Sequence, residues 1–192
     1  MTTEIPETET TTEEQQDYRR PRWGRILVWV GLIALLVLLA LGLQRSRQGP
    51  ITVGDKVPNF SLTTFEGQTI ELDDLAGKVV VLNFWASWCK PCEQEAAELE
   101  EAWRSYEPQG EVVFLGVDYV DTETEAQGYL EKFAITYPNG PDLGTRISQA
   151  FRIRGVPETY FIGKDGILRY VQIGPFSSLA QIKATIEPLL AD

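Results

Sequence analysis

The sequence predicts an α/β domain with a mixed central sheet, helices on both faces and an N-terminal β-hairpin, preceded by a single transmembrane helix. Three observations predict it. Residues Ile26–Leu43 form one long uncharged apolar run. Two β-branched and aromatic runs, Lys78–Ala86 and Glu111–Asp118, flank an amphipathic stretch, which reads as strand–helix–strand. The turn Gly163-Lys164-Asp165-Gly166 joins two further runs ahead of a last amphipathic stretch, which reads as hairpin then helix. The 192 residues suit one domain of ordinary size plus an extension, and 43% hydrophobic residues suffice for a packed core.

From the N-terminus, residues 1–18, MTTEIPETETTTEEQQDY, are rich in Thr and Glu with almost no large apolar group. They predict a disordered tail, taken to residue 22. The run ILVWVGLIALLVLLALGL spans ~27 Å as a helix, close to the hydrocarbon thickness of a bilayer. It exceeds the ~7–15 residues of a signal-peptide core. Ala40-Leu41-Gly42 can be read as a cleavage site, but the length of the run favours an uncleaved anchor over residues 23–43. No cysteine lies near its end, which excludes a lipoprotein anchor. Arg19, Arg20, Arg22 and Arg25 outweigh Arg45 and Arg47, so the positive-inside bias puts the N-terminus in the cytoplasm and the C-terminal domain outside. Trp23 and Trp29 suit interfacial positions. Residues 44–54 form a linker reaching at most ~38 Å. The domain, residues 55–192, is then held near the membrane surface, within reach of a membrane-embedded electron donor.

Within that domain, Asn59–Thr64 and Thr69–Leu72 flank a Glu66-Gly67 turn and predict a hairpin. Lys78–Ala86, bounded by Gly77, predicts a central strand buried on both faces. Glu93–Tyr106 predicts a helix, with Ala96, Leu99, Trp103 and Tyr106 at three- and four-residue steps. Glu111–Asp118 predicts a second buried strand, Thr122–Phe133 an amphipathic helix and Gly144–Phe151 a shorter one. Glu158–Ile162 and Ile167–Ile173 pair about the Gly163–Gly166 turn. Ser177–Leu190 closes the chain as a helix, with Leu179, Ile182, Ile186 and Leu189 on one face.

The net charge is −11, and there is no histidine. The six acids and six arginines before residue 49 cancel, so the C-terminal part carries the whole excess. An acidic surface argues against nucleic acid; it suits solubility or a basic partner. The lack of histidine excludes Ser–His–Asp and Cys–His nucleophiles and histidine metal ligands.

The chain's two cysteines sit as Trp88-Cys89-Lys90-Pro91-Cys92. A strand ends at Ala86 and a helix begins near Cys89, so the first sulfur lies at a helix N-terminus. Unpaired N–H groups and the helix dipole there favour a thiolate, the attacking species in disulfide exchange. Pro91 suits the first turn. The spacing brings Cys92 within bonding reach, so Cys89 attacks a partner disulfide and Cys92 resolves the mixed disulfide. A structural disulfide closing so small a loop adds little stability. A zinc site would lack ligands. No metal is expected, and no cofactor beyond the redox-active Cys89–Cys92 disulfide.

The stretch Val81-Leu82-Asn83-Phe84-Trp85-Ala86-Ser87-Trp88-Cys89-Lys90-Pro91-Cys92 resembles the active-site strand and helix start of the thioredoxin fold. With the anchor, the opening Gly54–Leu62 and the later Gly155–Ile162, it is similar to the anchored TlpA/ResA/CcmG group over about residues 52–190. The resemblance implies a thioredoxin-like fold and makes Pro157 the cis-proline facing the dithiol. Val156 then offers its backbone to an extended substrate segment. Glu95 corresponds to an acid that accepts a proton from Cys92 and raises thiol pKa values by like charge; a solvated helix glutamate is the alternative. Glu158 corresponds to a residue tuning the same dithiol, with a strand-edge surface charge as the alternative. Trp88 packs beside the site and covers the sulfurs, and the resemblance makes Trp88, Val156, Pro157 and Glu158 the residues expected to contact substrate. Two departures stand out. Asn83 replaces thioredoxin's buried aspartate and cannot be a base. Ala97 replaces a frequent proline, which predicts a straighter helix.

The expected function is an extracytoplasmic thiol–disulfide oxidoreductase, reducing protein disulfides. The resemblance implies cytochrome c maturation with apocytochrome c as substrate, and a membrane thiol electron donor of the CcdA/DsbD kind. A disulfide oxidase or isomerase is the second enzymatic reading, since the Lys90-Pro91 pair does not fix the direction of exchange. A non-catalytic binding module is the third.

Overall fold

The computed structural model describes residues 22–46 and 51–191. The expected tail lies outside the described residues up to Arg22, as does the linker at residues 47–50. The chain divides into two units, Met1–Gln48 and Gly49–Asp192.

In the first unit the apolar run lies within a helix, α1 (Arg22–Ser46). Its described apolar side chains, from Ile26 to Leu41, are exposed on every face, as expected where no polar stripe interrupts the sequence. Among the described residues no helix is long and apolar enough to cross a membrane; Leu43, the last residue of the apolar run, lies beyond the described side chains, which end at Gly42.

The second unit is built on β3 (Val79–Trp85), every residue of which is buried. It pairs parallel with β4 (Val112–Asp118) and antiparallel with β6 (Glu158–Ile162). The edges are β5 (Asn139–Pro141) beside β4 and β7 (Leu168–Ile173) beside β6, giving the order β5-β4-β3-β6-β7. A separate antiparallel hairpin joins β1 (Ser61–Thr63) to β2 (Thr69–Glu71). The α-helices of the unit are α2 (Lys90–Tyr106), α3 (Glu123–Lys132), α4 (Arg146–Phe151) and α5 (Leu179–Ala191).

The pleat of β3 sorts its side chains between two cores. Val80, Leu82 and Phe84 pack with Phe60, Phe151, Tyr160 and Ile162 on one face. Phe84, Phe151 and Tyr160 meet at ring separations of 5.2–5.5 Å, contacts worth ~0.5–1.5 kcal/mol each beyond the area they bury. Val79 and Val81 pack on the other face with Leu99 and Ala102 of α2 and Ile182 and Ile186 of α5. Asn83 follows that second register and faces α2.

The mixed sheet covered on both faces and the N-terminal hairpin agree with the sequence expectation. Three elements differ from it. β5 is additional, because Asn-Gly-Pro reads as a turn. It pairs with β4, and β1 packs closely against it: a Cβ on Gly140 would lie 2.2 Å from the carbonyl oxygen of Thr63. The helix expected from Gly144 begins at Arg146, because Gly144 (φ 70°) and Thr145 (φ 54°) take left-handed conformations that break the turn. α2 starts at Lys90 rather than Glu93, with Cys89 as its N-cap.

Candidate active site

β3 ends at Trp85, and Ala86–Trp88 lead directly into α2. Cys89 occupies the N-cap in an extended conformation (φ −83°, ψ 101°), with Pro91 in the first turn. Its sulfur is bonded to that of Cys92 (S–S 2.04 Å, Cα–Cα 5.3 Å). The backbone N–H of Cys92 points at Cys89 Sγ, 3.1 Å away. That donor, added to the helix dipole, stabilises a negative charge on Cys89 when the bond is opened. Both residues are nearly closed to solvent, at 3% and 1% exposure, so an incoming disulfide must be seated against the surface to be attacked.

Glu95 stands one turn beyond Cys92 on α2 and is buried. Asn83 Nδ2 donates to its Oε1 (3.0 Å), and the backbone N–H of Phe176 donates to its Oε2 (2.9 Å). The same Asn83 nitrogen donates to Thr159 Oγ1 (2.9 Å). Burial pushes the Glu95 carboxyl up to about 7, against the two hydrogen bonds that favour its ionised form. Glu95 is therefore not a solvated glutamate, and desolvation dominates its own shift. With Ala97 in place of proline, α2 runs unbroken through this position.

The Val156–Pro157 peptide bond is cis. Val156 packs against the cluster that holds Cys89, Cys92, Trp85 and Ala96. Glu158 is buried, not a surface charge at a strand edge. Its Oε1 accepts from the backbone N–H groups of Arg154 (2.7 Å) and Gly155 (3.2 Å), and its Oε2 from the Tyr160 hydroxyl (2.7 Å). Strand alternation puts it on the sheet face opposite the Glu95–Asn83–Thr159 group. Its bonds tie down the loop that leads into Pro157.

Trp85 and Trp88 have different surroundings. Trp85 is buried, stacked on Tyr129 (4.5 Å) and bonded through Nε1 to Asn139 Oδ1 (2.8 Å). Trp88 is 57% exposed, and its Nε1 donates to the Val120 carbonyl (3.1 Å).

Sequence reasoning missed the loop after β4. Asp121 accepts from Ser87 through both the backbone N–H (2.6 Å) and the hydroxyl (2.9 Å), fixing the residues just ahead of Cys89. Asp118 is buried beside it. Burial first, then the carboxylates of Asp121 and Asp142, push its pKa up to about 8. The Asp-x-x-Asp spacing at the end of the second buried strand was the available signal, because parallel neighbours β3 and β4 end side by side (Trp85 opposite Asp118). Among the described residues no group of His, Cys, Asp and Glu is placed to hold a metal ion.

The AhpC/TSA family profile matches residues 53–171. The chain belongs to this family. Within it the chain is a ResA-type thioredoxin-like protein. It is 32% identical over 168 residues to the thiol-disulfide oxidoreductase ResA of Geobacillus thermodenitrificans, covering 85% of this chain and 95% of the relative. ResA of a Bacillus cereus strain is 38% identical over 114 residues, 59% of this chain; the match spans 65% of that relative's length. A thiol:disulfide interchange protein of the thioredoxin family from Chlorobium tepidum shares the fold, with a TM-score of 0.66 at 24% identity over 73% of this chain and 99% of that one.

Proposed function

We propose that the protein is a thiol–disulfide oxidoreductase that reduces protein disulfides from a membrane anchor. The observation that carries this reading is the Cys89–Cys92 disulfide at the α2 N-terminus, with a buried carboxyl of pKa about 7 one turn away. In the reduced form, the Cys89 thiolate attacks one sulfur of a partner disulfide and the first partner thiolate leaves. Cys92 gives its proton to the Glu95 carboxylate, and its sulfur attacks Cys89 Sγ. The second partner thiolate leaves, and the protein is left as the disulfide. Two electrons pass to the partner, whose two leaving thiolates become thiols by taking one proton returned from Glu95 through solvent and one from solvent itself. A membrane thiol carrier of the CcdA/DsbD kind would restore the dithiol.

The apolar run of α1 and the arginines before it support an anchor with the dithiol domain outside the cytoplasmic membrane. ResA-type relatives are named for thiol–disulfide exchange. The resemblance to the TlpA/ResA/CcmG group supports apocytochrome c as the substrate. Trapping tests this. A full-length Cys92→Ser chain should accumulate a mixed disulfide on Cys89 that holds an apocytochrome. Recovery of unrelated exported proteins alone would remove cytochrome maturation. A strongly oxidising reduction potential would turn the reading to an oxidase. Undiminished function in Cys89→Ser would turn it to a binding module.

A further inference from the structure

Asp118 ends β4 at 2% exposure, and among the described residues its Oδ1 has no hydrogen-bond partner. A buried carboxylate without donors is costly, whereas the neutral carboxyl is not. Asp118 shares a side-chain hydrogen bond with Asp121. Two carboxyl groups share such a bond only when one of them keeps a proton. Three donors already point at Asp121: the Ser87 N–H, the Ser87 hydroxyl and the Thr122 N–H (3.1 Å). The proton is therefore carried by Asp118, which donates to Asp121. The charged groups acting on Asp118 are both acids: Asp121 in the loop after β4, and Asp142 just past β5. β3 sets the uncharged Trp85 opposite it. Asp142 is buried and pinned by the N–H groups of Ile147 (2.9 Å) and Ser148 (2.8 Å) and by the Ser148 hydroxyl. The Tyr119 N–H is fixed on the Trp85 carbonyl (2.8 Å). Of the three acids, only Asp121 is half-buried and has a way out to solvent.

We infer that Asp118 is a positioning residue for disulfide exchange: its proton latches Asp121 onto Ser87 and so fixes the turn that delivers Cys89, and loss of that proton releases the turn. Without the proton, Asp118 and Asp121 are adjacent anions, and the pinned Asp142 adds to the repulsion. Asp121 turns to solvent, and Ser87 loses the acceptor of both its bonds. Ala86–Trp88 are then unclamped ahead of Cys89, whose own N–H rests on the Ala86 carbonyl (3.1 Å). The latch opens where Asp118 titrates, about pH 8. Exchange should fall on that alkaline side, where a growing thiolate fraction would otherwise speed it. This inference rests on the exchange activity proposed above.

The test uses the full-length chain in detergent, isotope-labelled at serine for magnetic resonance, with Ser87→Ala to identify the Ser87 amide signal. It is run first on the oxidised protein, whose sulfurs do not titrate. The Ser87 amide should shift with pH about a midpoint near 8. Asp118→Asn keeps the shape and offers Asp121 an N–H at every pH, so the shift should vanish. Asp121→Asn leaves Ser87 an acceptor oxygen but removes the facing charge, so the midpoint should move to lower pH. The reduced proteins are then assayed on a disulfide peptide. Between about pH 7 and about pH 9 the parent should lose about tenfold in kcat/KM relative to Asp118→Asn, the loss of protonated Asp118 one unit past its midpoint. A Ser87 signal that stays still in the parent, or moves alike in parent and both Asn variants, overturns the latch and leaves the exchange activity standing. So does one pH profile of kcat/KM shared by parent and Asp118→Asn. A parent inert toward the peptide and toward a low-molecular-weight disulfide overturns the proposed activity, and the positioning role with it.

Discussion

Glu95 carries opposing demands in one side chain. Two N–H donors hold it as a carboxylate, while burial raises its pKa from 4.5 to about 7. Between those values the folded chain keeps a proton that the unfolded chain has released. Stability therefore falls as pH rises through that window, by ~3 kcal/mol for a shift of this size. Asp118, raised to about 8, adds its own fall over an overlapping range. The Glu95 share is the difference between parent and Glu95→Gln: urea midpoints at about pH 5 and about pH 8 should differ less in the variant. In the proposed role of proton acceptor for Cys92, Glu95 works when ionised, so kcat/KM should climb through pH 7. In Glu95→Gln that limb should vanish and the rate fall ~100-fold. Asn83→Ala removes a donor from the ionised form. The limb should move to higher pH, at a cost of ~1–3 kcal/mol in stability by urea titration.

Short elements do the positioning. Gly140 lets β1 lie against β5, and Phe65 N–H closes the contact by donating to the Asn139 carbonyl (2.9 Å). A Cβ there meets backbone, which cannot swing away. Gly140→Ala should therefore lower stability by ~1–3 kcal/mol in chemical denaturation and loosen the amides of β1 to hydrogen exchange. β3, β4 and α2 could be placed from the sequence, because seven-residue buried strands and a three–four apolar stripe leave strong periodic signals. The dithiol could be read for the same reason: its motif sits where strand gives way to helix. β5 could not, since three residues carry no period and Asn-Gly-Pro is also good turn chemistry. Nor could the surroundings of Glu95. Whether that glutamate is solvated or buried depends on a partner 81 residues away, Phe176, and local pattern holds no record of it.

The two units present opposite surfaces. The first exposes apolar side chains along α1, while the second encloses its own between sheet and helices. If α1 is the anchor, a charge in its middle should weaken insertion. Leu35→Arg is expected to cost ~2.5–3.5 kcal/mol at the helix centre and to shift the full-length chain from the carbonate-resistant membrane fraction to the soluble one. An unchanged distribution would remove the anchor from the proposal.

The helix cap at Cys89 also bears on how the protein can be labelled. With only two cysteines in the sequence, alkylating reagents have two targets after reduction. Cys89 Sγ faces the amide of Cys92 and sits at the dipole's positive end, whereas Cys92 lies within the first turn beneath it. A limiting dose of iodoacetamide should leave one adduct per chain, on Cys89. A fluorophore or affinity handle could then be set at a single defined atom without engineering a site.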